Sequence, residues 1–217
     1  MNENIIVYKK IADSVIDNPT WELAKQIFSV NSIQKDGNEY CLDRYFINND
    51  EKIIDLYYKI VDEKHFVLIR IDIESKSIDW VTTVNSNRCY LTATSKYLSL
   101  KELSEITKLQ YTSGWSKGDK ISYGRVCTYS RINFEPIEKT SYETEDILTL
   151  LLNELEKDRN GVLELTKNSH AYISICKYQY ISGNTGTSLS VEIINRLSAL
   201  NLGTDIDMYI VGNEFKN

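Results

Sequence analysis

The amino-acid sequence predicts an α+β fold: a mostly antiparallel sheet with helices on one face, forming a ferredoxin-like core with an added helix. Three observations predict it. Several short segments alternate apolar and polar residues, the pattern of a strand with one buried face. Other segments repeat apolar residues every three to four positions, as amphipathic helices do. In the second half of the 217 residues these segments follow the order β-α-β-α-β-α-β, and 42% of the chain is hydrophobic, enough for a core without disulfides.

Residues 1–86 are predicted to form one helix and then a β-meander, which either extends the same sheet or makes a second one. Asn18 and Pro19 are typical of the N-cap and first positions of a helix, so we expect a helix over Pro19–Val30. Asp36-Gly37-Asn38 has the composition of a turn. The meander then contains three strand candidates: Asp55–Val61, His65–Ile73 and Ile78–Val84.

Residues 87–217 are predicted to form one α+β domain. Ser99-Leu100-Lys101-Glu102 has the spacing of a capping box at the start of a helix. The longest helix is expected over Glu143–Lys167, and a shorter one begins after the cap Ser190 and ends near Gly203, which suits the left-handed position. The strand candidates of this region are Cys89–Thr94, Val126–Ile132, Ala171–Tyr180 and Thr204–Val211.

The cysteines and the hydropathy pattern indicate a cytoplasmic protein. No apolar run approaches the roughly 18 residues of a membrane span, and Met1–Lys10 is too polar for a secretory signal. The cysteines lie far apart, with no Cys-x-x-Cys pair, which is typical of small buried side chains in a reducing compartment. They are Cys41, Cys89, Cys127 and Cys176.

The sequence offers no recognisable catalytic centre, metal site or cofactor motif. His65 and His170 each follow a turn and have no Cys or second His nearby, so we expect both to face solvent. Asp205 and Asp207 share one strand face and are expected to be solvated. We therefore predict a protein that is not an enzyme, with no metal and no cofactor.

Two segments resemble ligand-binding loops only superficially. The connector Thr112–Gly124 contains glycines and a lysine, but its spacing differs from that of a phosphate-binding loop. Gly183–Ser188 likewise lacks the spacing of a dinucleotide fingerprint. An alternative hypothesis is a small-molecule or peptide binder, or an enzyme of unrecognised type, with a pocket formed around these two loops.

Three segments of the second region resemble the bacterial family catalogued as domain of unknown function 4279. The helix Tyr97–Thr107 resembles that family's Leu-Ser-x-x-Glu-Ile-Thr helix, and Lys117-Gly118-Asp119 matches a Lys-Gly-Asp element. The stretch Gly183–Tyr209 is similar to the pattern near the family's end, with Thr185 where proline is common. The resemblance spans roughly residues 87–211 and implies a fold but no activity.

The start of the chain carries a second resemblance. Asn18-Pro19-Thr20-Trp21-Glu22, followed by a meander, is similar to the opening of a bacterial immunity-protein family that neutralises secreted toxins. The same residues also have the capping explanation given above. This resemblance implies a protein partner and a role in blocking it.

Charge and aromatic content favour binding of another protein. Residues 1–86 carry a net charge of −5 out of −6 for the chain, which disfavours nucleic acid and favours a basic partner. The 15 tyrosines exceed what a core requires, and tyrosine is a favoured interface residue. We predict a cytoplasmic immunity protein that binds a basic toxin domain. The predicted partner-binding residues are Asp43, Asp50, Glu51, Asp55, Asp62, Glu63, Tyr57 and Tyr58.

Overall fold

The computed structural model describes residues 3–137, 140–183 and 185–215, which form two compact units. The first comprises Met1–Ser86, Tyr178–Thr185 and Tyr209–Asn217, and the second comprises Asn87–Lys177 and Gly186–Met208. The predicted α+β class is confirmed. Within the described part of the chain, no helix is both long and apolar enough to cross a membrane.

The first unit contains two helices, a short hairpin and a four-stranded antiparallel sheet. Its helices are α1 (Glu3–Asp17) and α2 (Glu22–Val30), and its hairpin pairs β1 (Lys35–Asp36) with β2 (Glu39–Tyr40) around the predicted turn. The sheet has the order of the chain: β3 (Leu42–Asn48), β4 (Ile53–Lys59), β5 (Phe66–Asp72) and β6 (Ile78–Val84).

Both helices pack on one face of this sheet. Ile5 and Ala12 of α1 and Ala24 and Ile27 of α2 are buried in the same cluster as alternate strand residues. Those strand residues are Ile54, Leu56, Tyr58, Val67, Ile69, Ile71 and Val81. The opposite face of the sheet is called the outer face below, because a strand directs successive side chains to opposite sides.

Three expectations for this unit were wrong. Helix α1 was not expected, because the sequence shows only a short apolar run at Ile5. The structure adds Ala12, which lies two turns later and is buried with Ile5. The second helix begins at Glu22, three residues after the predicted Pro19, and its N-cap position is Trp21. Strand β3 was not expected either, so the meander has four strands.

The second unit contains four helices and most of a five-stranded sheet of order β11-β10-β7-β9-β8. The first residue of β7 and the last residues of β10 and β11 are counted with the first unit. Its elements in chain order are β7 (Ser86–Ser95), α3 (Leu100–Glu105), β8 (Ser113–Trp115), a 3-10 turn (Ser122–Gly124), β9 (Ser130–Phe134), α4 (Thr144–Glu156), α5 (Arg159–Asn168), β10 (His170–Tyr180), α6 (Val191–Ala199) and β11 (Gly203–Val211). Residues of all four helices share one buried cluster with alternate residues of β7, β9 and β10, so the helices cover one face.

Local sequence signals predicted some element boundaries of this unit correctly and others incorrectly. The capping box is confirmed: the Ser99 hydroxyl accepts from the Glu102 backbone N–H, and the Glu102 carboxylate accepts from Ser99 N–H. The predicted long helix is two helices, because Asp158 caps a new one by accepting from Gly161 N–H. The left-handed position belongs to Asn201, with φ of 54°, and not to Gly203, which begins β11.

Candidate functional site

The outer face of the four-stranded sheet carries one row of four side chains in direct register. Phe46 pairs with Asp55, Asp55 with Arg70, and Arg70 with Trp80, so the row crosses all four strands. Directly opposed residues of antiparallel strands lie about 5 Å apart. Two aromatic rings therefore flank an acid and a base on one surface. We call these four residues the outer-face row.

The centre of the row is a bidentate ion pair. Arg70 Nε donates to Asp55 Oδ1 at 2.7 Å, and Arg70 Nη2 donates to Asp55 Oδ2 at 2.9 Å. This hydrogen bonding raises the pKa of Arg70. The register explains the pair, because the two residues are direct cross-strand partners. The pair neutralises both charges at the middle of the face.

The ends of the row are exposed aromatic rings. Phe46 is 70% exposed and Trp80 is 53% exposed, the two largest exposures among the large apolar residues of this sheet. The next row along the sheet places half-buried Tyr57 between Arg44 and Leu68. Large rings with an arginine between them are the composition typical of protein-interface hot spots.

Two of the predicted partner-binding acids are held by bases inside the sheet. Asp55 belongs to the outer-face row, and its side chain is only 13% exposed. Asp43 accepts from Arg44 Nε at 3.1 Å and lies 3.6 Å from Lys59 Nζ. Both carboxylates are therefore neutralised by neighbours and contribute little net charge to the surface.

The other four acids lie at opposite ends of the sheet. Asp50 and Glu51 are exposed in the turn between β3 and β4, and Asp62 and Glu63 lie in the turn between β4 and β5. The seven residues of β4 separate the two turns by roughly 20 Å. The structure thus does not gather the predicted acids into a single patch.

The two predicted tyrosines have different surroundings. Tyr57 lies on the outer face, but Tyr58 faces the helices and is fully buried. Its hydroxyl donates to Asp13 Oδ1 at 2.8 Å, and burial raises its pKa strongly. Tyr58 therefore belongs to the core, and its prediction as a partner-binding surface residue was wrong.

The histidines also divide. His170 is exposed, as expected, whereas His65 is 1% exposed, so the expectation that it faces solvent was wrong. Its Nε2 lies 3.1 Å from Asn31 Oδ1, and its ring stacks on Tyr180 at 5.1 Å between centroids. Burial lowers the pKa of His65 to about 4. The ring is therefore neutral at neutral pH and is part of the core.

The remaining candidate groups are the cysteines and the two aspartates of β11. Burial raises the pKa of the Cys89 thiol to about 12 and also raises that of Cys176, so neither thiol is activated as a nucleophile. Asp205 and Asp207 are exposed, as expected. Among the described residues, no group of three or more His, Cys, Asp or Glu side chains is placed to hold a metal ion.

The two loops of the alternative hypothesis have separate surroundings. The connector Thr112–Gly124 contains the 3-10 turn and β8, and β8 pairs with β9. In the other loop, the buried Lys177 ammonium donates to the Gly186 carbonyl and to Thr187 Oγ1, which anchors the segment. Asn184 of that loop lies outside the described residues.

Sequence reasoning missed Phe46 and Trp80 as surface residues. Trp80 had a usable signal, since it lies in a predicted strand next to the buried Val81 and so points the other way. Phe46 had a weaker one, because Tyr45, Phe46 and Ile47 are consecutive apolar residues without alternation. Only the pairing of β3 with β4 decides which of the three shares a face with Asp55.

Residues 82–211 match the model of a protein family described as "Domain of unknown function (DUF4279)". No curated protein and no solved structure matches the chain, and these comparisons show no similarity to immunity proteins. The outer-face row lies before residue 82, outside the matched segment.

Proposed function

The chain belongs to the DUF4279 family, whose description assigns no activity, and we propose from its own surface that it binds a protein partner and catalyses no reaction. The observation that carries the proposal is the outer-face row. Its two exposed rings flank a neutralised ion pair on the same face of the sheet. The proposed binding site is the outer face, centred on Phe46, Asp55, Arg70 and Trp80.

The rings supply the energetic reason to bind. Phe46 and Trp80 leave half or more of their surface in water, and covering that surface is favourable by about 25 cal/mol per Å². The Asp55–Arg70 pair supplies specificity, because a partner that covers it must satisfy the Arg70 donors that do not bind Asp55. Tyr57 adds a third ring on the same face.

Charge supports a basic partner. The segment before residue 87, with its net charge of −5, contains the whole four-stranded sheet. Asp50 and Glu51 are exposed in the turn that directly follows the strand of Phe46. Acidic groups at the rim of an apolar patch attract and orient a basic protein and make the association rate depend on salt.

The specific partner that we propose is a basic toxin domain, which this chain would neutralise by covering its active surface. The support is the acidic first segment and the resemblance of Asn18–Glu22 to the opening of immunity proteins. Steric occlusion requires only a tight interface, so it agrees with a surface that offers anchors and no reactive group.

The test uses the proteins encoded beside this chain's gene. Each is purified and titrated with the chain by isothermal titration calorimetry, at salt concentrations from about 0.05 M to about 0.5 M. We expect one neighbour to be toxic when expressed alone, to bind tightly, and to bind at least about tenfold more weakly at the higher salt. Neighbours that neither bind nor are toxic would count against the toxin assignment.

A further inference from the structure

The second unit contains a cleft that the proposed protein-binding face does not use. It has a volume of about 610 Å³, within the range of small-molecule sites. It lies where β7 ends, β10 begins and α5 ends, all elements of the second unit. The side chains that matter for the argument are Lys96, Tyr97, Tyr129, Lys167, His170 and Tyr172.

Aromatic rings line this cleft. Tyr97, Tyr129 and Tyr172 contribute to its wall, and the His170 ring lies 5.2 Å from the Tyr172 ring. Trp115 extends the aromatic surface beyond the cleft, with its ring 6.3 Å from that of Tyr129. Tyrosine rings at such a site stack on planar heterocycles, with about 1–3 kcal/mol per stacked base.

The charge of the lining is positive. Lys96 and Lys167 line the cleft, and its described lining includes no carboxylate. Acids outside the lining also act here: Glu164 lies 3.2 Å from Lys167, and the charges of Asp205 and Asp207 act on Tyr172. The guanidinium of Arg131, which also acts on Tyr172 and lies over the Trp115 ring, offsets part of the last two charges.

The C-terminal end of α5, which lies beside the cleft, also carries groups that favour an anion. The C-terminal carbonyls of α5 would repel an anion. Here Asn168 Nδ2 donates to the Glu164 carbonyl at 2.8 Å, and Ser169 Oγ donates to the Leu165 carbonyl at 2.6 Å. Lys167 lies in the same last turn. These side chains offset the negative end of the helix, so an anion can lie beside it.

We propose that this cleft binds a mononucleotide. The base would stack on the tyrosine rings, and the phosphate would be held by Lys96 and Lys167. Rings and cations occur together here, and lysine ammonium groups are established phosphate partners. The volume suits a single nucleotide rather than a polymer, and the chain's net charge of −6 disfavours a long polyanion.

The test is calorimetric titration of the full chain with each of the four ribonucleoside 5′-monophosphates. We expect at least one to bind with a Kd below about 1 mM. The matching nucleoside and inorganic phosphate, tested separately, should each bind at least about tenfold more weakly, because each makes half of the contacts. Absence of binding by all four monophosphates would overturn the proposal.

Matched lysine variants locate the site. The double variant Lys96→Ala/Lys167→Ala should weaken binding at least about tenfold. The control is Lys101→Ala/Lys157→Ala, because Lys157 has the same i,i+3 pairing to a glutamate and the same side-chain exposure, 68%, as Lys167. Circular dichroism checks that both fold. Equal affinity of the two double variants would overturn the assignment to this cleft.

Discussion

The guanidinium of Arg70 holds the carboxylate of Asp55 through two parallel hydrogen bonds, at 2.7 and 2.9 Å, midway between the exposed rings of Phe46 and Trp80. This pair joins the two central strands of the first unit on the face that the helices leave open. It therefore neutralises the two charges at the centre of the proposed binding surface.

A double-mutant cycle measures what this pair contributes to stability. We expect Asp55→Asn and Arg70→Gln to show a coupling free energy of about 1 kcal/mol, the upper end for partly exposed pairs, because the geometry is bidentate. Urea denaturation of the parent chain, the two single variants and the double variant gives the value. The control cycle uses Lys101 and Glu105, which are 3.8 Å apart and largely exposed, and should show no resolvable coupling. Equal coupling free energies in the two cycles would show that the direct cross-strand register of Asp55 and Arg70 does not strengthen their ion pair.

His65 should make stability depend on pH. Burial lowers its folded pKa to about 4, below the value of about 6.5 in an unfolded chain. The unfolded state therefore binds the proton first, and stability is full above about pH 6.5 and falls as the pH drops toward 4. The loss is at most about 3.5 kcal/mol, at about 1.4 kcal/mol per pKa unit.

Histidine variants isolate this effect from the titration of carboxylates. Unfolding free energies measured at several pH values from neutral to about 4.5 should fall less steeply in His65→Gln than in the parent chain. His170→Gln, which changes an exposed ring, should retain the parental slope. If His65→Gln kept the parental slope as well, the buried neutral imidazole would not be the cause.

Gly212 should be essential for the packing around His65. Its φ is +83°, and a Cβ there would lie 2.5 Å from Tyr180 Cδ2 and 3.0 Å from His65 Cε1. We expect Gly212→Ala to cost about 2–4 kcal/mol, combining left-handed strain with overpacking. At Gly37, also left-handed, a Cβ meets no described atom within 4 Å, so Gly37→Ala should cost only about 1 kcal/mol. Thermal denaturation compares the stability of the two variants. Similar losses of stability would contradict a clash of the new Cβ at position 212 with Tyr180 and His65.

Local signals in the sequence predicted the elements that depend on neighbours in the chain. The capping box at Ser99 is an example, because both of its hydrogen bonds lie within three residues. The break at Asp158 is equally local, but the apolar stripe from Leu155 to Val162 continues across it and concealed it. Periodicity alone cannot distinguish one long helix from two helices that bury the same stripe.

Features that depend on contacts between distant residues could not be predicted from the sequence. His65 is buried because Asn31 and Tyr180 meet it in the fold, and its own neighbours in the chain look like a turn. Part of the candidate site was predicted, since Asp55 and Tyr57 lie on the outer face. Phe46 and Trp80 join them through strand pairing, and the predicted acids disperse because the turns at the two ends of β4 lie far apart.

The outer face is tested most directly by the affinity of the neighbouring-gene partner for two double variants. Phe46→Ser/Trp80→Ser removes both exposed rings of the outer-face row, and Trp21→Ser/Tyr45→Ser removes two other exposed rings of the same unit. Tyr45 is a close control, because it adjoins Phe46 in β3 but pairs with Leu56 on the helix face.

Calorimetric titration of the partner gives the Kd for each double variant. We expect the Phe46 and Trp80 variant to bind at least about 100-fold more weakly, as for the loss of interface hot spots, and the control to stay within about threefold of the parent chain. Parental affinity in the Phe46 and Trp80 variant, or an equal loss in both, would contradict the assignment of the outer face as the binding surface.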